Sequence, residues 1–153
     1  MNELPYEPRA IVGRREIVHL PELSLRLACK IDTGARTSAL HAENVRSFEE
    51  RGQRWVSFDT HCGDEAQGVR RFTLPVSDRR RVRSSNGQAS WRFVIRTQMQ
   101  LGPLASELDL TLVDRGAMRH PMLLGRRAMK RVLVAPGASF LHGTLQAFGS
   151  PER

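Results

Sequence analysis

The sequence predicts a mainly β domain, and three runs of strict alternation carry that expectation. Leu23, Leu25, Leu27, Cys29 and Ile31 fall on one side of an extended chain, while Ser24, Arg26, Ala28 and Lys30 fall on the other. A period of two is the mark of a strand with one buried face. Trp91, Phe93, Ile95, Thr97, Met99 and Leu101 repeat the pattern, as do Leu108, Leu110 and Leu112, offset by Asp109 and Thr111. Gly102-Pro103 lies between the last two runs and predicts a turn that folds them into a hairpin.

The remaining elements are weaker. Strands are expected over residues 11–20, 53–58, 69–76 and 132–134. Ser84-Ser85-Asn86-Gly87 is the strongest hairpin-tip signal, because Asn-Gly favours the positive φ values that a tight turn requires. Helix is scarce. One short C-terminal helix is expected over 126–131, ending before Ala135-Pro136-Gly137. Another turn or two fits residues 43–51, closed by Gly52. Residues 59–68 read as a polar loop. Neither end has much to bury, which leaves one domain over 11–145 between an N-terminal tail (1–10) and a C-terminal tail (146–153).

Composition narrows the class. A chain of 153 residues, 40% hydrophobic and 26% charged, can bury a core without disulfides or metals. No apolar run approaches the ~20 residues of a membrane span, and the N-terminus lacks the basic and apolar regions of a signal peptide. Cys29 and Cys62 give no disulfide framework and suit a reducing cytoplasm. The net charge is 24 − 16 = +8, and 22 of the 24 basic residues are Arg. Most of those arginines read as solvated surface; the excess still favours an anionic partner. Nucleic acid fits poorly, since no clustered Lys/Arg helix or aromatic platform accompanies the charge.

Asp32-Thr33-Gly34-Ala35 ends the first alternating run, and aspartic proteases place their catalytic carboxylate in such a tetrapeptide. The chemistry needs two carboxylates about 3 Å apart that share one proton. The charged member takes a proton from water, which attacks the scissile carbonyl; the protonated member hydrogen-bonds the developing oxyanion. Only one Asp-Thr-Gly is present, so a homodimer must supply the second carboxylate. Thr33 offers a hydroxyl to bond across the two-fold axis, Gly34 permits close approach, and Ala35 leaves room beside the carboxylates. By itself the triplet also fits an Asp at a turn or helix cap. The later Met122-Leu123-Leu124-Gly125-Arg126 and the hairpin tip at Gly87 are its usual companions.

Residues 11–133 resemble the bacterial retropepsin-like family often labelled ATP-dependent zinc proteases. The resemblance rests on Lys30–Ala42 (KIDTGARTSALHA), Val82–Gly87 (VRSSNG) and Pro121–Arg126 (PMLLGR). It implies the closed β-barrel of the acid protease fold, with Asp32, Thr33 and Gly34 in the catalytic turn and 82–93 as a flap over substrate. It also implies that Leu123-Leu124-Gly125 forms a loop behind that turn. Ala35, Arg36, Asn86, Gly87 and Arg126 are then expected to bind substrate. Retroviral relatives carry acidic residues after the motif, whereas this chain has Arg36, so an Arg36–Arg126 pairing would be repulsive. Members commonly occur beside an ATP-grasp ligase that adds glutamates to a ribosomal protein. The resemblance therefore implies an acidic or polyglutamylated protein tail as substrate and the glutamate ligase as a partner.

The residues themselves support neither half of the family label. No Gly-x-x-x-x-Gly-Lys loop is present, and no cofactor is expected. His19, His41, His61, His120 and His142 are scattered, with no His-Glu-x-x-His. His61-Cys62 with His41 or Asp64 makes a site only on paper, and no metal ligand is assigned. Trp55 and Trp91 read as core or flap packing. Alternatives to the peptidase are a non-catalytic acidic-peptide module that regulates the partner ligase and, less favoured, a zinc-dependent protease.

Overall fold

Alternation translates into strands almost wherever one face has something to bury. The computed structural model describes residues 3–61, 68–83, 86–114 and 120–143. Its strands are β1 (Ala10–Val12), β2 (Arg15–Leu20), β3 (Leu25–Ile31), β4 (Ser38–His41), β5 (Glu43–Glu50) and β6 (Gln53–His61), then β7 (Val69–Pro75), β8 (Asp78–Arg83), β9 (Ala89–Leu101), β10 (Leu104–Val113), β11 (Met122–Leu124) and β12 (Val132–Val134). In β3 every predicted inward residue is buried, and the same holds for Leu108, Leu110 and Leu112 in β10. The β9–β10 hairpin turns at Gly102-Pro103, pairing Leu101 with Leu104.

The main sheet runs β10-β4-β11-β3-β2-β9-β8, and β9 also pairs with β10. The pairings thus form a circuit whose β2–β9 link is a single residue pair, His19 with Gln100. Inside lies the core: Leu20, Leu25, Leu27, Cys29, Leu40, Ile95, Met99, Leu110, Met122 and Leu124 are all essentially inaccessible. A second, three-stranded sheet is β5-β6-β7, and β1 pairs with β12 in a small parallel sheet. The β4 and β5 strands are separated by Ala42 alone, so one extended segment leaves the main sheet and enters the second.

Several expectations are corrected. Residues 43–51 form β5 and not a helical turn. Val45 to Glu50 are exposed, so no buried face advertises the strand; the β6 ladder holds it. Arg51 (φ 53°) and Gly52 (φ 77°) make the tight turn, the positive-φ pair that a two-residue hairpin demands. The C-terminal helix shrinks to a single 3-10 turn, Arg126–Ala128. The N–H groups of Arg126 and Arg127 are spent on Ala35 O and Arg36 O, and Arg131 turns left-handed (φ 60°) to launch β12. Residues 59–61 continue β6 in place of a loop, and the rest of that expected loop, 62–67, lies outside the described residues. Leu123 and Leu124 sit in β11, a strand between β3 and β4, and not in a loop. Trp91 is 58% exposed, with the Arg79 guanidinium 4.7 Å over its ring, so it is not a core residue.

One buried polar group escaped the sequence reading. Glu16 is fully buried and accepts hydrogen bonds from Gly13 N (2.7 Å), Leu141 N (3.1 Å) and His142 N (3.1 Å). A buried carboxyl group needs such compensation. Here it fastens the C-terminal segment across the turn between β1 and β2.

Candidate active site

The first candidate feature is a turn held from behind. β3 emerges from the core at Ile31, and Asp32 follows immediately, half-buried, with its amide donating to Leu124 O at 2.9 Å. The chain reverses at once, as Ala35 N donates to Asp32 O (3.2 Å). Gly34 N donates to Asp32 Oδ1 at 2.9 Å, which orients the carboxylate toward its own loop backbone. Thr33 and Gly34 are exposed, and a Cβ on Gly34 would lie 3.2 Å from Asp32 Oδ1.

β11 and the turn after it supply the support. Gly125 N donates to Ser38 Oγ (3.0 Å, buried), Arg126 N to Ala35 O (2.8 Å) and Arg127 N to Arg36 O (3.1 Å). Arg126 Nη1 also donates to Thr33 O at 3.1 Å. Gly125 has φ −95°, so no left-handed backbone demands glycine there. Contact does: a Cβ would sit 2.5 Å from Thr37 O and 2.6 Å from Thr37 C. The two sequence motifs are thus one structural unit, in which 125–127 grips 33–38.

The other nominated residues are placed as follows. Arg36 is exposed, and its backbone carbonyl, not its side chain, binds the 126–127 turn. Arg126 is exposed as well, with its guanidinium directed to the loop carbonyl of Thr33. Asn86 and Gly87 lie between β8 and β9, where Arg83 pairs with Ala89. Asn86 Oδ1 accepts from Gln88 N (3.0 Å), and Gly87 takes φ 86°, the turn chemistry expected of a hairpin tip. Ser84 and Ser85 fall outside the described residues. Sequence reasoning named Gly125 without its reason and did not single out Ser38, whose hydroxyl ties the two motifs together.

A groove of about 380 Å³ lies beside the turn, lined by Thr37, Ser38, Arg80, Arg96, Asp109 and Arg127 among others. Asp109 accepts from Arg96 Nε (2.9 Å) and Arg80 Nη2 (3.3 Å), and Arg96 first, then Arg80, hold its carboxyl below the usual range.

The far end of β4 holds a second cluster. His41 Nε2 lies 3.0 Å from Glu43 Oε1, His61 Nε2 lies 3.4 Å from the same oxygen, and the two imidazoles stack at 5.6 Å. Glu43, absent from the histidine sets that the sequence offers, joins them because residues 43–50 are a strand paired with β6. Cys62 and Asp64 lie outside the described residues. Beside the cluster, Arg71 and then Asn44 hold the Asp59 carboxyl down to about 2.

Residues 11–144 match the model of the RimB-like family, described as retropepsin-like aspartic endopeptidase RimB. Among curated proteins, the chain is 42% identical over 136 residues to a Shewanella pealeana protein named probable alpha-L-glutamate ligase; the match covers 87% of this chain and 30% of that one. A Parasynechococcus marenigrum protein of the same name is 42% identical over 142 residues, covering 90% of this chain and 30% of its own. The chain thus spans under a third of the length of these curated relatives. A solved Legionella pneumophila structure, protein Lpg0085 with unknown function (DUF785), superposes with a TM-score of 0.71 at 27% identity, covering 86% of this chain and 97% of that one. Among the described residues, no helix is long and apolar enough to cross a membrane.

Proposed function

This chain belongs to the RimB-like family of retropepsin-like aspartic endopeptidases, and from that premise we propose that it is an aspartic peptidase that works as a homodimer. The carrying observation is the placement of Asp32: half-buried at the exit of β3, oriented by Gly34 N at 2.9 Å, in a loop gripped by Gly125–Arg127. A loop so braced can present its carboxylate rigidly to a second copy across a two-fold axis. Two such groups within about 3 Å cannot both ionise and so share a proton. The ionised one deprotonates the attacking water; the protonated one stabilises the oxyanion. The hairpin tip at Asn86-Gly87 would close over the substrate as a flap.

An acidic or glutamylated protein tail is the proposed substrate. Arg36, Arg126 and Arg127 are all exposed on the turn that carries or supports Asp32, and the net charge is +8. A cationic mouth raises the on-rate of an anionic peptide, and salt should weaken it. The chain would act in the reducing cytoplasm. Its partner would be a glutamate ligase, an association favoured by relatives that carry a similar segment within longer proteins of that name.

The same observation favours a second reading, in which this domain binds glutamate tails without cutting them and regulates the ligase. Incubation of the wild type and Asp32→Asn with glutamate-tailed and unmodified substrates, read by mass spectrometry, separates the two. The peptidase reading expects cleavage of the tailed substrate, lost in Asp32→Asn with circular dichroism and dimerisation retained. Full cleavage by that variant would eliminate the mechanism; tail binding unchanged by the substitution, with no cleavage by either protein, would favour the regulator.

A further inference from the structure

We propose that His41, Glu43 and His61 form a binding site for a divalent transition-metal ion, zinc by ligand type. Each of the three offers one ligand atom, a ring nitrogen from each histidine and a carboxylate oxygen from Glu43, and these atoms all lie within 4.8 Å of one another. Two histidines and one glutamate are a common catalytic-type zinc ligand set, with the fourth position left for water or a small ligand.

Topology explains the convergence. His41 and Glu43 are two residues apart in an extended segment and share a face. The β5–β6 register pairs Glu43 with Asp59. Continued by two residues in each strand, that register sets His41 opposite His61, and the rings indeed stack, 26° from coplanar. The distances suit an ion as well. Ligands about 2.0–2.1 Å from a tetrahedral zinc are roughly 3.3 Å apart along each edge. The two His–Glu separations are 3.0 and 3.4 Å. A purely hydrogen-bonded arrangement needs protons on both Nε2 atoms, aimed at one oxygen. A single cation can replace both protons and satisfy all three groups.

Anchoring and access also fit. His41 is 4% exposed, and its backbone is pinned on both sides: His41 N donates to Pro121 O (2.8 Å), and Thr60 Oγ1 donates to His41 O (2.6 Å). Glu43 and His61 are 38% and 51% exposed, so an ion can enter from solvent. The site stands apart from the Asp32 turn, since three residue steps along β4 separate His41 from Ser38, roughly 10 Å. Its ligands bridge the segment that leaves the main sheet to β6, so the ion would cross-link the two sheets.

The test uses the full chain, stripped with chelator, dialysed and titrated with zinc chloride by calorimetry, with thermal unfolding in parallel. One zinc per chain is expected, with a rise in Tm of roughly 5–10 °C at a hundredfold excess over Kd. Cobalt(II) should give the visible spectrum of a four- or five-coordinate ion. His61→Gln and Glu43→Gln alter exposed groups, keep side-chain size and should each weaken binding at least tenfold. His19→Gln, remote from the cluster, should not. Absence of stoichiometric zinc in the wild type, or equal affinity in wild type and both ligand variants, overturns the proposal.

Discussion

Replacing Gly125 by Ala is the sharpest probe of the braced turn. The added Cβ would meet Thr37 O at 2.5 Å, Thr37 C at 2.6 Å and Thr37 N at 2.9 Å, all of them backbone atoms. No side chain can rotate away, so Gly125 or the 33–38 loop must move. Overpacking of this kind costs about 1–3 kcal/mol. The displacement also strains the bonds from Gly125 N to Ser38 Oγ and Arg126 N to Ala35 O, each worth about 1 kcal/mol net. A total of about 2–5 kcal/mol corresponds, for a chain of this size, to a fall in Tm of roughly 5–15 °C. The informative control is Gly34→Ala, whose Cβ would approach only the Asp32 carboxylate, at 3.2 Å. That carboxylate can turn aside at the expense of its exposed bond from Gly34 N, so stability should fall by no more than about 1 kcal/mol. Proteolysis should nevertheless fall about a hundredfold, because a misplaced reacting group is costly even at 1 Å. Differential scanning calorimetry beside a cleavage assay reads both effects. A wild-type Tm for Gly125→Ala would mean that Gly125 does not pack against the 33–38 loop, and the bracing of the turn would be refuted.

Glu16→Ala should be more damaging than any surface change, since it strands the amides of Gly13, Leu141 and His142. About 3–5 kcal/mol is expected by urea unfolding. Hydrogen exchange should speed up at Leu141 and His142 first, and unchanged exchange there would refute the anchoring role. Acid stability should involve Asp109, whose pKa is depressed chiefly by Arg96 and then by Arg80. A depressed carboxylate contributes stability that is present above its unfolded value of about 3.9 and is lost as pH falls through the folded value. Asp109→Asn should therefore lower stability at neutral pH and flatten the acid limb below about pH 4. An acid limb identical to wild type would refute the coupling.

The core of the fold was legible, and its edges were not. β3, the 95–101 half of β9 and the 104–110 part of β10 bury one face each, and burial is what writes alternation into a sequence. β8 (Asp-Arg-Arg-Arg-Val-Arg) lies at the end of the main sheet, where charge blunts an edge and erases the pattern. β5 is exposed almost throughout and owes its conformation to ladder pairing with β6. β4 and β11 are too short, at four and three residues, to carry a period. The candidate site followed the same logic. Asp32-Thr33-Gly34 and Gly125-Arg126 are local signals and could be read; Ser38 Oγ bonding to Gly125 N spans 87 residues of sequence and could not. Glu43 was hidden for a related reason, because nothing local in residues 43–50 announces the strand whose pairing with β6 sets Glu43 opposite Asp59 and brings it to His61.

The two candidate sites share one mechanical element, which limits how they can influence each other. β4 carries Ser38, the support of the Asp32 loop, at one end and His41 at the other. It pairs with β10 on one side, from Leu110–Ser38 to Val113–His41, and with β11 on the other. A strand pinned on both edges cannot slide gradually. A one-residue slip would send Leu40 out of the core and Ala39 in. An ion held by His41, Glu43 and His61 would therefore not pull the Asp32 loop to a new position. It would lower the rate at which β4 detaches, and the loop would inherit that rigidity through Ser38. Zinc should slow amide exchange along residues 38–41 and raise Tm, with the geometry around Asp32 unchanged. A zinc-induced chemical shift change centred on Asp32, without added protection in β4, would show that β4 does not transmit the effect of the ion.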